Sequence, residues 1–403
     1  MPTIRDDRLR SILTGIGIAM LAINMRAAIV GVGPLLDVIR QDLDLSTTVA
    51  GLLTTIPVVC FGALAGFAPA IARRIGIDRT ILVTMVGLTV GIAIRLAPSI
   101  AMLFLGTVVI GASIALANVL IPAVIKRDFP NRFGLMTGVY TMGISIGGSA
   151  ATGFMVPLHE SGLGWRRALG ILAIPALVAV ISQLPGLARN RQVTTSISDR
   201  PSIPRLWRSR LAWQVSLFMG LQSFVYFGMG SWIPTILHDA GLSLESSGTY
   251  WAIGNLAGLP ASMVVPILAQ RMPNQRPLLA GTMAIWVVSI VGIMVAPASF
   301  TLAWMVMFGL AAGSALSLAL MLIVLRSPDT PHAAALSGMA QAIGYGIAAF
   351  APFLAGLAHD LTGAWTASVG LMLAALVPAG WAGWLAARRA LVGQAQDAPQ
   401  RID

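Results

Sequence analysis

"DLDLSTTVAG" (Asp42–Gly51) and "DAGLSLESSG" (Asp239–Gly248) carry an Asp, a Leu-Ser pair and a Gly in the same register, 197 residues apart. Holding that offset sets Pro69 against Pro266 and Arg74 against Arg271. Further along, "MTG" (Met136–Gly138) meets "LSG" (Leu336–Gly338) at an offset of 200. Landmarks restated in the same order describe a chain made of two related units, and the composition around them says what the units are.

Of 403 residues, 57% are hydrophobic and 10% charged, whereas soluble domains carry about 25% charged residues. Mean hydropathy is +0.83, so a soluble fold would have no interior large enough for the apolar surface. A bilayer-spanning helix needs about 20 mostly apolar residues. Twelve stretches qualify: 11–37, 47–72, 80–97, 100–125, 133–157 and 166–188, then 211–237, 247–270, 277–297, 300–325, 332–358 and 365–388. The short alternating segments of a transmembrane barrel are missing from the pattern. Pro34, Pro57, Pro122, Pro175, Pro234 and Pro260 fall inside these stretches and are expected to break or kink them. The opening "MPTIRDDRLR" does not read as a cleavable signal, because the apolar run behind it is too long and carries Arg26.

Basic residues set the orientation. With the N-terminus inside, the cytoplasmic loops and ends collect 21 of the 26 Lys and Arg residues, which predicts both termini cytoplasmic in a bacterial-type inner membrane. The net charge of +11 is then a property of loops and does not call for nucleic acid. "RNRQVTTSISDRPSIPRLWRSR" (Arg189–Arg210) is a polar linker between six helices and six. The expected division is an N-terminal half over 1–188, a linker over 189–210, a C-terminal half over 211–390 and a tail over 391–403. Six spans per unit keep the repeats parallel, related by an axis along the membrane normal. The halves of major facilitator transporters are related in that way, with the substrate held between them near the midplane. The predicted fold is therefore an all-α membrane protein of twelve helices in two pseudo-symmetric six-helix halves.

Two stretches carry a narrower resemblance. "NMRAAIVGVGPLL" from Asn24, followed by "GLLTTIPVVCFGALA" (Gly51–Ala65), resembles the cyanate porter family of the major facilitator superfamily, as does "IPAVIKRDFPNRFGLMTGVYTMGISIGG" (Ile121–Gly148). The resemblance implies a transporter of cyanate-like or 2-nitroimidazole-like solutes working by alternating access. In "PAIARRIGIDR" (Pro69–Arg79), Arg74 and Gly76 fit the superfamily signature, while Arg73 stands where an acidic residue is usual.

Arg26 lies midway along the first span with no acidic residue within ten positions. A guanidinium at that depth costs about 2.5–3.5 kcal/mol on insertion scales. It reads either as a site for an anion or polarised ligand, through its five donors in a planar fork, or as a cap for carbonyls released around Gly31, Gly33 and Pro34. Asn24, two positions away, points to another face and suits helix packing better than a shared ligand. Arg95, three residues before Pro98, is expected to snorkel to the interface. Gln222 and Tyr226 sit four apart on the seventh span, and Gln341 and Tyr345 repeat that spacing on the eleventh. Asn118, Tyr140 and Asn255 are the other mid-depth polar groups. Together with Arg26 and Asn24 these form the candidate substrate-binding set; for each, the alternative is an interhelical hydrogen bond or a hydroxyl on a backbone carbonyl. The Gly143/Gly147 pair marks tight packing or, as the resemblance implies, the moving interface between halves.

None of the fifteen acidic residues falls at mid-membrane, which argues against an organic-cation exporter. No phosphate-cradling loop points to ATP. The lone Cys60 and the scattered histidines supply neither a nucleophile–base pair nor a metal cluster, so an enzyme is a remote alternative. No cofactor is expected. The expected partners are a small-molecule or anionic substrate and the lipid bilayer, with the chain acting as a monomer. Within the transporter class two possibilities stay open, a small cyanate-like anion or a neutral nitroaromatic, and cavity size separates them.

Overall fold

The structure, a computed structural model, describes residues 4–45, 47–187 and 206–393. Most of the 189–210 linker and of the 391–403 tail lies outside the described residues. The chain is helical from end to end of what is described. α1 (Ile4–Val30) passes through a 3-10 turn at Gly33–Leu35 into α2 (Leu36–Asp42). α3 (Thr47–Leu64) bends through Ala65–Phe67 into α4 (Ala68–Ile75), and α5 (Ile77–Arg95) and α6 (Ile100–Asp128) follow. α7 (Phe133–Leu158) leads by a π turn to α8 (Gly164–Gly170) and α9 (Ala173–Leu187). The second half runs α10 (Arg210–Asp239), α11 (Leu244–Arg271), α12 (Arg276–Val295), α13 (Thr301–Leu325), α14 (Thr330–Ala348), α15 (Ala351–Thr362) and α16 (Trp365–Ala386).

Joining the pieces that a bend merely interrupts gives twelve spans: α1–α2, α3–α4, α5, α6, α7, α8–α9, α10, α11, α12, α13, α14–α15 and α16. Ten stretches are each long and apolar enough to cross a bilayer. α7, with 26 residues, and α10, with 30, complete the twelve. Of the prolines expected to disturb helices, Pro34 and Pro175 sit at breaks, whereas Pro57, Pro122, Pro234 and Pro260 are carried inside continuous helices.

The repeat seen in the sequence is a repeat of packing. In the first half α1 packs on α7 and α9, α3 on α6, and α5 on α6 and α9. In the second, α10 packs on α14 and α16, α11 on α13, and α12 on α13 and α16. The two aspartates that open the duplicated stretch do the same job. Trp165 donates its indole N–H to Asp42 Oδ2 at 2.9 Å, and Trp365 donates to Asp239 Oδ2 at 2.7 Å. Each bond clasps the end of a half's first span to the start of its last.

Without a hydrophobic force between helices in lipid, close backbone approach does the work. A Cβ on Gly147 would overlap the Ile23 carbonyl oxygen, and one on Gly309 would overlap that of Gly254. Gly143 likewise faces Ala22 and Ala19 of α1. The Gly143/Gly147 pair therefore packs within the first half and is not at the interface between halves. Gly134 and Gly138 hold that interface: a Cβ on either would stand 2.6 Å from the Pro266 oxygen or 2.9 Å from that of Met263.

The halves meet through α7 with α11 and α3 with α14, and again through α7 with α13 and α6 with α14, a two-fold arrangement. Their polar contacts crowd toward the face on which α1 begins. Gly134 N–H donates to Gln270 Oε1 at 2.6 Å, and Gln270 Nε2 to Asn131 O at 2.9 Å. Thr141 Oγ1 donates to Ser262 O at 2.8 Å. Lys126 Nζ donates to Val324 O near the end of α13 at 2.9 Å and to Ser327 O just beyond it. That face is shut.

Candidate functional site

Above the closed contacts a cavity of about 760 Å³ separates the halves. Its lining climbs α7 from Ile144 to Gly153 and α10 from Gln222 to Ser231, and takes in Gly248 at the start of α11. Gly153, Ser231 and Gly248 are exposed, so the cavity opens on the face opposite the start of α1.

Arg26 enters this space from α1. Gly148 on α7 makes room for its stem, since a Cβ there would lie 2.9 Å from Arg26 Cγ. The guanidinium carbon stands 5.9 Å from the Tyr226 ring centroid and 5.7 Å from that of Phe227, both on α10 of the other half. That is cation–π distance. Among the described residues the guanidinium makes no hydrogen bond or ion pair, and none of the residues lining the cavity is acidic. Trp251, Phe308 and Tyr345 add aromatic wall, with Trp251 5.9 Å from Phe308 and Tyr345 5.4 Å from Phe61. Tyr226 donates its hydroxyl to Asn255 Oδ1 at 2.9 Å, and Asn255 Nδ2 donates to Trp251 O at 2.9 Å. Gln222 spends its amide nitrogen within α10, on Met219 O at 3.0 Å and Ser223 Oγ at 2.6 Å. The result is a chamber partly walled by aromatic rings, with a positive charge about midway along its depth.

Of the nine candidates, Arg26, Gln222, Tyr226, Asn255 and Tyr345 line the cavity; Asn24, Asn118, Tyr140 and Gln341 do not. Tyr140 and Asn118 are buried and satisfy each other, the hydroxyl donating to Asn118 Oδ1 at 2.7 Å. Gln341 Nε2 crosses between halves to Asn118 O at 2.8 Å and also reaches Ser337 Oγ at 2.9 Å. The matched spacing on the eleventh span misled because i,i+4 residues share a face but differ in depth by about 6 Å. Tyr345 reaches the cavity, while Gln341, one turn lower, is sealed in the closed region. Asn24 is fully buried against α9, its amide oriented so that Nδ2 donates to Leu172 O and Oδ1 accepts from Ala176 N, both at 2.8 Å. It thereby mends the backbone ladder beside Pro175. Arg95 does not snorkel. It is 3% exposed, with its guanidinium turned inward.

Trp251, Phe227 and Phe308 stand outside the polar candidates, because an aromatic residue in an apolar span carries no mark of the face it occupies. One signal was available, since Trp251 stands four residues before Asn255 and shares its face.

A membrane-spanning bundle of two parallel repeats around a central cavity is the architecture of major facilitator transporters. The Major Facilitator Superfamily model matches residues 12–352, and the chain belongs to that family. It is 38% identical over 361 residues to the 2-nitroimidazole transporter of Escherichia coli (strain K12), covering 90% of this chain and 91% of that one. With the cyanate transport protein CynX of the same organism it shares 28% identity, over 86% of this chain and 90% of that one. Both agree with the resemblance to the cyanate porter family. In fold it is similar to the crystal structure of FucP in the outward conformation, with a TM-score of 0.76 at 11% identity, over 94% of this chain and 100% of that one. The protein is a multi-pass transporter of small molecules, not an enzyme.

Proposed function

We propose that the protein carries a small planar solute with an anionic or oxygen-rich group, a nitroaromatic or aromatic carboxylate, whose oxygens dock on Arg26 while its ring lies among Tyr226, Phe227, Trp251, Phe308 and Tyr345. The carrying observation is the guanidinium facing aromatic walls with no carboxylate beside it. A cation with no hydrogen-bonding or acidic partner among the described residues favours a ligand that brings the negative charge or dipole, and Arg suits two parallel oxygens. Cavity size tips the balance from cyanate to a ring-bearing solute. About 760 Å³ falls in the range for drug-sized ligands, and a three-atom anion would leave most of the aromatic wall bare. The 38%-identical 2-nitroimidazole transporter supports the same choice. Cyanate is the second possibility, favoured by the 28%-identical cyanate protein and by Arg26 itself.

In this proposal residues 1–188 and 211–390 rock as two bodies about the cavity, opening α7 from α11 and α3 from α14 on one face as they close on the other. The excess of basic residues in the loops of the α1 face supports placing both termini in the cytoplasm, which makes the described state outward-facing. Counterflow in proteoliposomes and thermal stabilisation of the purified protein are to be measured with 2-nitroimidazole, benzoate and cyanate. Saturable counterflow of either ring compound is expected. Counterflow of cyanate alone would reject the aromatic-solute assignment, and stabilisation by none of the three would reject the site.

A further inference from the structure

The hydrogen-bond ladder of α1 holds through Gly31 N–H to Ala27 O and first fails at the Ala28 carbonyl, half a turn beyond Arg26. Val32 N–H turns to Ile29 O at 3.4 Å instead of reaching back to Ala28, and Pro34 has no N–H to offer Val30. The Ala28 carbonyl is left inside the first half without a backbone donor. Arg95 Nη1 donates to it at 2.9 Å. The same guanidinium donates from Nε and Nη2 to Thr107 Oγ1 on α6, at 3.2 and 3.0 Å. Thr107 sends its own hydrogen to Leu103 O at 2.7 Å, so its lone pairs are turned to Arg95. α5 and α6 approach closely here: a Cβ on Gly106 would stand 2.8 Å from Arg95 Cγ.

Among the described residues no carboxylate pairs with Arg95. A buried guanidinium without one is costly, and an apolar side chain of similar volume would pack without that cost. What the guanidinium adds is a rigid plane of donors that joins its own helix, α5, to α1 and α6 at once. Capping of the carbonyl released near the break in α1 thus falls to Arg95, which leaves Arg26 free of that task. One turn earlier, Asn24, four residues before Ala28, ties α1 to α9.

We infer that Arg95 is a positioning residue for transport: by holding the Ala28 carbonyl it sets the rotation and height of the α1 turn that presents Arg26 to the cavity. The inference rests on the assignment of Arg26 as the solute's anchor, and its test separates the two.

The variants are Arg95→Lys, Thr107→Val, Thr107→Ser and Arg26→Ala, with the double variant Thr107→Val/Arg26→Ala. Each is read by the half-saturating concentration and maximal rate of 2-nitroimidazole uptake, and by melting temperature. A second readout needs no solute. In a Cys60→Ser background, the thiol of Arg26→Cys is labelled by a water-soluble methanethiosulfonate, with and without Thr107→Val. Arg95→Lys and Thr107→Val are expected to raise the half-saturating concentration about tenfold; Thr107→Val also strips the buried Nε and Nη2 donors of their acceptor, so its melting temperature should fall. Thr107→Ser should restore it, because the hydroxyl acceptor returns. Thr107→Val should also change the labelling rate at position 26, and should add nothing once Arg26 is Ala. Wild-type half-saturation and labelling in Thr107→Val would overturn the inference, as would a lower melting temperature with neither readout moved. If Arg95→Lys fails to fold, the Thr107 pair decides. An Arg26→Ala protein that keeps wild-type half-saturation rejects the anchor assignment, while the labelling rate still reports whether Arg95 sets the turn.

Discussion

Replacing Arg26 by Lys keeps the charge and changes its shape, which makes it the sharpest probe of the cavity. In the native protein the guanidinium faces Tyr226 and Phe227 at 5.9 and 5.7 Å, and no described protein acceptor claims its N–H donors. A carboxylate or nitro group can take two parallel bonds from it. One hydrogen bond to a charged group contributes about 1.5–3 kcal/mol. An ammonium supplies the charge but not the second, coplanar donor, so Arg26→Lys should weaken binding by about that amount, roughly 10- to 150-fold. Arg26→Ala removes both bonds and should weaken binding further than Arg26→Lys does. Neither change should lower stability: Lys keeps the charge in place, and Ala relieves an insertion cost of about 2.5–3.5 kcal/mol. Titration of 2-nitroimidazole and benzoate against purified protein gives the affinities, and counterflow in proteoliposomes gives transport, with melting temperature as the folding control. If Arg26→Ala misfolds while Arg26→Lys transports with native half-saturation, Arg26 is a structural group and the aromatic-solute site falls with it.

Other substitutions separate packing from transport. Gly147→Ala drives a methyl into the Ile23 carbonyl, whereas Gly153→Ala meets nothing within 4 Å; the first should lose about 1–3 kcal/mol or more and melt earlier, and the second should match wild type. Gly138→Ala crowds the Met263 oxygen at 2.9 Å across the halves, so it should unseat the closed face and raise the labelling rate of a cysteine placed at Ser262. Asn24→Leu removes the amide that spans the break beside Pro175 and leaves buried backbone groups unpaired, costing about 1–3 kcal/mol. It should lower melting temperature with half-saturation unchanged, and a selective rise in half-saturation would return Asn24 to the binding set.

The membrane class, the twelve spans and the duplication were legible along the chain because each depends on local composition. A spanning helix is a run of apolar residues of fixed length, and an offset of 197 keeps its register whether or not the halves touch. Arg26 stood out for the same reason, as a charge at a depth where charges are costly. Which polar groups face the cavity was not legible. In water the apolar stripe of a helix marks its buried face, but in lipid every face is apolar, so periodicity says little about rotation about the axis. Arg95 and Arg26 look alike as intramembrane arginines. One is enclosed because Gly91 and Gly106 bring α5 and α6 together and the break in α1 exposes a carbonyl; the other faces open space because Gly148 leaves room for it. Gln341 and Tyr345 share a face, yet the seal between halves passes between them. Rotation, depth and the level of that seal come from helix-against-helix contact, and only the tertiary structure contains them.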